Sequence, residues 1–382
     1  MKCSLVTLAG MLAIVSIAAA TEPSSAEPRR RILYNSDGCS CLIYKEGVYQ
    51  PVSFGKQDLP KIVDELHRPG SQVDTYLLCV NAQVMFYPSK VGTMIGSRIH
   101  GEKRKNWPLA HRTWIRNLER FYAEGVDPYA VLLARAQQHK MERLVSFRMN
   151  DAHAGDEDSF LRCALWVDHP QYRLRYGLDF GHQEVRDYTL KLIREVAERY
   201  DSEGMELDFN RFPEYFKADE PDKVAKIHSV VEQARKTLDE VGRRRGRRLL
   251  LAARVPTEYS DCLRIGCDPV VWAKRGWIDF LTVSERMEVR YDLPIKPWKE
   301  RIPNIPIYGG IESVAGPAIE DYLTADEYRR AARHLWKDGA DGIYLFNFIM
   351  YRENGSQSLE PPFEVLGQLG DPSSLARVRP AD

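Results

Sequence analysis

The stretch Gly204-Met205-Glu206-Leu207-Asp208-Phe209-Asn210-Arg211-Phe212-Pro213 alternates apolar and polar positions with a period of two. Met205, Leu207 and Phe209 fall on one face of a β-strand, and Glu206, Asp208 and Asn210 on the other. Carboxylates are rarely buried without a partner or a task, so an apolar strand with an acidic second face marks a site. Glu206 and Asp208 point the same way, roughly 7 Å apart along the strand. Arg211 follows just past its end, where its fork can hold a carboxylate or a substrate oxygen.

The same alternation, or a short apolar run, recurs along the chain. Strands are expected at 32–37, 73–80, 143–150, 249–255, 279–284, 305–311 and 342–348. Helical spacing separates most of them, at 59–67, 128–140, 182–200, 225–242, 269–275 and 325–338. Gly339 follows the last of these as a stop signal, and 363–369 suits a closing helix. Two long polar or aromatic segments, 83–116 and 155–181, read as loops, the kind that often carry binding function. Eight strands alternating with helices imply parallel β/α units closed into a (β/α)₈ TIM barrel with long βα loops. An open doubly wound sheet is the rival, but Asn35-Ser36-Asp37-Gly38 after the first strand is no glycine-rich phosphate turn.

In such a barrel the C-terminal strand ends converge on one mouth. Here they read Asn35/Asp37, Asn81, Asn150/Asp151/His153, Asp208/Asn210/Arg211, Arg254, Glu285, Glu312 and Asn347. Apolar strands that each end in a polar group build an opening of carboxylates, amides and arginines. That opening suits a polyhydroxylated ligand, and glycoside hydrolysis needs two carboxyl groups flanking the scissile bond. Asp208, Glu285 after the sixth strand and Glu312 after the seventh are three of the carboxyl groups there. Asn35, Asn150, His153, Trp166, Glu206, Asn210, Arg211, Arg254 and Asn347 are the expected substrate-binding residues. Glu206 has a second reading, an ion pair with Arg254 or Arg148 inside the barrel. No metal and no cofactor is called for, although Asp151 and His153 with a further acid would suit a metal-dependent hydrolase. Asp151, Asp156 and Asp158 resemble a calcium loop only faintly.

Composition narrows the partners. Lys+Arg and Asp+Glu both total 54 in 382 residues, so the formal net charge is zero, and neither a nucleic-acid surface nor a polybasic membrane patch is expected. Residues 1–20 carry Lys2, an apolar run from Leu5 and a closing Ala18-Ala19-Ala20, the form of a secretory leader cleaved before Thr21. No later stretch is apolar for long enough to span a membrane. The reading is therefore a signal peptide (1–20), a linker (21–30), one barrel domain (31–370) and a tail (371–382), secreted or periplasmic. Of the seven cysteines, six follow the leader; Cys262 and Cys267 are close enough to close a short disulfide, and buried free thiols are the alternative. Cys39-Ser40-Cys41 fits no zinc spacing.

Residues 204–213 resemble the fourth-strand signature of the glycosyl-hydrolase-like 10 group and related barrel glycosidases, Gly-x-x-x-Asp-Tyr/Phe-x-Arg-Tyr/Phe-Pro. Gly204, Asp208, Phe209, Arg211, Phe212 and Pro213 match as they stand. The segment Asp179-Phe180-Gly181-His182-Gln183-Glu184-Val185-Arg186 also resembles the entry to the helix before that strand. The resemblance covers about 35 residues. It implies a barrel acting on a poly- or oligosaccharide, with Asp208 as the catalytic carboxylate, Arg211 as its neighbour, and Glu285 as the expected catalytic partner, or Glu312 as the substitute for either. Those relatives often carry His or Gln where this chain has Glu206. The arginines of the mouth favour a sulfated or carboxylated chain.

Overall fold

A computed structural model describes residues 30–378 except 154–155, 315–320 and 354–358; the leader and all but the last residue of the linker lie outside the described residues. Eight strands form one closed, all-parallel barrel in chain order: β1 Ile32–Ser36, β2 Val73–Cys79, β3 Glu142–Arg148, β4 Gly204–Asp208, β5 Leu250–Val255, β6 Phe280–Val283, β7 Ile307–Glu312 and β8 Gly342–Phe346. β1 pairs with β8 to complete the ring. The protein is thus a (β/α)₈ barrel. The helices are α1 Leu59–Asp64, α2 Leu109–Ala123, α3 Pro128–Gln138, α4 Ala164–Asp168, α5 Gln183–Arg199, α6 Lys223–Arg244, α7 Tyr259–Arg264, α8 Pro269–Lys274, α9 Ile295–Arg301, α10 Ala325–Lys337 and α11 Pro372–Arg377.

Strand parity divides the apolar side chains into two cores. Met205 and Leu207 of β4, with Leu281 and Val283 of β6, face outward into the large core shared with the helices. Leu33, Leu77, Leu144, Ala252, Phe280, Tyr308, Tyr344 and Phe346 face inward and fill the barrel. Glu206 and Asp208 share that inward parity. The base of the barrel is stoppered by Arg30, whose guanidinium pairs with Glu142 at 2.5 and 2.8 Å and lies 4.8 Å from the Phe280 ring centre.

Gly204 opens β4 because its neighbour leaves no room. A Cβ there would stand 2.3 Å from the Leu250 carbonyl oxygen, well inside contact distance, so the β4–β5 register needs glycine. The pairing Asp208↔Arg254 follows from that register and places the two side chains together at the mouth.

Several elements depart from the expected boundaries. The 83–116 segment is not all loop: its end belongs to α2, an arginine-rich helix that buries Trp114, Leu118 and Phe121 at spacings of four and three. The closing helix expected at 363–369 is a 3₁₀ turn at Phe363–Gly367. The segment 371–382 begins with α11, which Asp371 caps at the Ser373 amide and which buries Leu375. The Cys262–Cys267 disulfide does not form; both are buried free thiols, and Cys262 Sγ donates to the Pro256 carbonyl oxygen.

Candidate active site at the barrel mouth

Asp208 ends β4 and is buried. Its Oδ1 accepts the backbone N–H groups of Asn210 (2.9 Å) and Arg211 (3.1 Å), because the chain turns sharply straight after the strand. Its Oδ2 accepts from Arg254 Nη1 at 3.2 Å. These three donors fix the orientation of a buried carboxylate.

Arg254 is the hub. Its Nη2 donates to Glu312 Oε1 at 2.8 Å, its Nε to Ser284 Oγ at 2.8 Å, and its guanidinium lies 3.9 Å from the Phe346 ring centre. Burial opposes its charge, but Asp208 and Glu312 raise its pKa well above the ordinary arginine value. Glu312, at the end of β7, also accepts from Asn347 Nδ2 at 3.4 Å. Burial pushes the Glu312 carboxyl up, with Arg254 pulling the other way. Two carboxylates thus sit on two nitrogens of one guanidinium.

Glu285 stands apart from that pair. β6 ends at Val283, so Ser284 turns inward and Glu285 lies on the rim. Its Oε2 accepts from Thr257 Oγ1 at 3.1 Å and lies 4.0 Å from Arg290 Nη1. Its side chain is 32% exposed, against 1% for Asp208 and for Glu312. Asn210 ties the ends of β4 and β6: its Nδ2 reaches the carbonyl oxygens of Ser284 (2.8 Å) and Glu285 (3.3 Å).

Glu206 lies one pleat deeper. The ion pair with Arg254 or Arg148 is not made. Its Oε1 accepts instead from Ser146 Oγ (2.8 Å), Tyr344 OH (2.9 Å) and Asn35 Nδ2 (3.2 Å), and its Oε2 has no partner among the described residues. Burial first, and the Asp208 charge second, push its pKa up to about 7. Asn35 also donates to Tyr344 OH at 2.7 Å, so it belongs to this interior layer and not to the opening.

After β3, Asp151, His153 and Arg211 form a chain of contacts. Arginine only donates, so His153 Nε2 accepts from Arg211 Nη2 (3.1 Å) and the ring proton sits on Nδ1, facing both Asp151 oxygens at 2.8 Å. Burial lowers the His153 pKa against the pull of Asp151. Asp151 is fully buried, which alone would raise it, yet His153 and Arg148 hold it well below the usual carboxylate range. Arg148 Nη1 lies 3.3 Å from Asp151 Oδ2. Asp156 and Asp158 do not join Asp151: Asp158 is exposed on Lys103, and among the described residues no three acidic, His or Cys side chains converge as metal ligands.

Two expected binding residues are corrected outright. Trp166 is buried rather than open to a sugar face; its Nε1 donates to the Gly177 carbonyl oxygen, and the guanidiniums of Arg162 and Arg173 lie 3.8 and 4.1 Å from its ring centre. Asn150 spends its whole amide on backbone, donating to the carbonyls of Leu178 (2.9 Å) and Glu214 (2.7 Å) and accepting the Leu178 N–H (2.9 Å). The Asp179–Arg186 segment is likewise a brace: Phe180 N–H bonds the Tyr215 carbonyl, and Arg186 bonds the carbonyls of Phe180 and Gly181.

Sequence reading missed Tyr344 and Ser146, both signalled by their inward parity, and Glu353, which meets Asp37 on the Ser40 hydroxyl. Glu353 lies beyond β8 on a 3₁₀ turn, and no strand period marks it.

No family model and no curated protein matches the chain. Similar solved structures are barrels of glycoside hydrolases. The glycoside hydrolase domain of PgaB (BpsB) from Bordetella bronchiseptica aligns at a TM-score of 0.53 and 11% identity, over 90% of this chain and 99% of that one. A group IV chitinase of Ostrinia furnacalis aligns at 0.50 and 10% identity, over 91% and 99%. At such identities the likeness is one of fold. The resemblance of residues 204–213 to the glycosyl-hydrolase-like 10 signature therefore remains local.

Proposed function

We propose that this protein is an exported glycoside hydrolase that cleaves O-glycosidic bonds of a poly- or oligosaccharide in the barrel mouth. The observation that carries the reading is Asp208: a buried carboxylate held by two backbone N–H groups and an arginine, at the end of β4 on a polar mouth. In this reading Asp208 acts as nucleophile or base, since a desolvated carboxylate fixed by three donors is placed to attack or to activate water. Glu285 acts as acid/base; it is the most exposed of the three carboxyl groups, and a group that trades protons with a leaving oxygen and with water needs that access. Glu312 is the substitute for either role and shares Arg254 with Asp208. A chain bearing carboxylate or sulfate groups suits the arginines here better than a neutral one. The leader composition of residues 1–20 supports export.

One observation favours a second reading, a carbohydrate-binding barrel without turnover: Asp208 and Glu312 are both engaged by Arg254. Hydrolysis of a panel of neutral and sulfated polysaccharides, with reducing ends counted, separates the two. Wild type releases ends on at least one substrate, and Asp208→Asn loses at least about a hundredfold of that rate, the scale for removing a catalytic group. Binding by both proteins with no release by either would establish the non-catalytic barrel.

A further inference from the structure

Three buried arginines meet at the mouth, and their charges are not matched alike. Arg254 holds Asp208 and Glu312. Arg148 holds Asp151. Arg211, equally buried, has no carboxylate within ion-pair distance among the described residues; its acceptors are Met287 Sδ (2.9 Å) and His153 Nε2 (3.1 Å), both uncharged, and its Nε has no partner. A thioether and a neutral imidazole steer a guanidinium without neutralising it. Burial, and next the Arg148 charge, lower the Arg211 pKa, while the more distant Glu312 and Asp151 carboxylates pull the other way. A buried, unpaired ion is costly, so a protein that keeps one normally presents it to a ligand of opposite sign.

The surroundings fix where that guanidinium sits. The Arg211 backbone N–H is spent on Asp208 Oδ1, so the residue is anchored one turn from the proposed catalytic carboxylate. Asp151 locks the His153 tautomer, which leaves Nε2 lone-pair-out toward Arg211. The rings of Phe212 and Phe346 lie 5.8 and 5.5 Å from its central carbon.

We propose that Arg211, positioned by His153 and Asp151, forms an anion subsite for a carboxylate or sulfate substituent of the sugar bound beside Asp208. This rests on the glycosidase reading with its anionic substrate and adds the residue that reads the substituent and the place where it binds. The planar fork pairs bidentately with either anion, while Lys in its place keeps charge but loses that geometry.

The test is calorimetric titration of the full-length mature protein with glucuronate, inorganic sulfate and, as the neutral control, glucose. Wild type binds glucuronate or sulfate at least about tenfold more tightly than glucose, and which of the two binds identifies the substituent. Arg211→Gln loses that preference, and Arg211→Lys retains part of it, with both variants checked for a native unfolding transition. No anion preference in wild type, only an adventitious ion unaffected by Arg211→Gln, or equal binding in a folded Arg211→Gln variant overturns the subsite. Hydrolysis of the polysaccharide panel separates this failure from that of the glycosidase reading. Turnover of neutral and anionic chains alike removes the subsite and leaves the enzyme, while Arg211-dependent anion binding without turnover does the reverse.

Discussion

Glu206 is enclosed by Ser146 of β3, Tyr344 of β8, Asn35 of β1 and, along its own strand, Asp208, with Arg254 of β5 as the cation whose field reaches it. Its pKa rises from about 4.5 in the open chain to about 7 in the fold. The folded state therefore binds more protons across that window, and stability falls as the pH rises through it. Glu206→Gln keeps an acceptor for the three donors and removes the titration. Urea midpoints measured from about pH 4.5 to about pH 8 should show the variant gaining on wild type as pH rises. Parallel profiles would mean that Glu206 does not titrate in this range. Arg254 makes the opposite kind of prediction. Replacing it with Met strands two buried carboxylates, at a cost of about 3–5 kcal/mol in the denaturant midpoint. Adding Glu312→Gln to that variant should recover part of the loss, because one of the stranded charges is gone.

Asn150 shows how the elements beneath the mouth are tied together. Its amide joins the end of β3 to the backbone at Leu178, before α5, and at Glu214, after β4. Asn150→Ala leaves buried backbone groups unpaired and should cost about 1–3 kcal/mol, with faster hydrogen exchange at the Leu178 amide. A loss confined to sugar binding, with stability and exchange unchanged, would return Asn150 to the list of ligand contacts. β4 and β6 are joined in the same way by Asn210, which is why Glu285, though past its strand, is held at a fixed place on the rim. α2 is hard to read from sequence because its first turn, Leu109-Ala110-His111-Arg112, mixes apolar and basic residues and continues an aromatic, basic loop. Pro108 before it and the Trp114, Leu118, Phe121 spacing are the signals that mark it.

For the molecule as a whole, closure of eight strands does what disulfides do in small exported domains. Of the six cysteines from Cys39 onward, five are buried, Cys39 is partly so, and none is paired. Ellman titration of residues 21–382 without reductant should find six thiols in denaturant and few reacting in the native state. Four in denaturant would mean that one disulfide forms, Cys262–Cys267 being the nearest pair in sequence. The barrel interior needs no such staple, since it is filled by one apolar layer below and one hydrogen-bonded polar layer above.

The order of strands and helices was legible because inward and outward faces alternate with period two and the covering helices repeat near 3.6, and both periods survive in the sequence. The acidic face of β4 was legible for the same reason: Glu206 and Asp208 interrupt a strand that could otherwise be apolar throughout. What the sequence could not give is which side chains meet across strands. Asp208, Arg254 and Glu312 come from β4, β5 and β7, and only barrel closure and register put them on one guanidinium. Parity assigned Trp166 to no face, since it lies outside strands, and the expected strand 143–150 overran the end of β3 at Arg148, so only loop packing decided where Asn150 points and buried both. Nor does local pattern say that Arg211 lacks a carboxylate within ion-pair distance among the described residues, because pairing is a property of the assembled mouth and not of any segment.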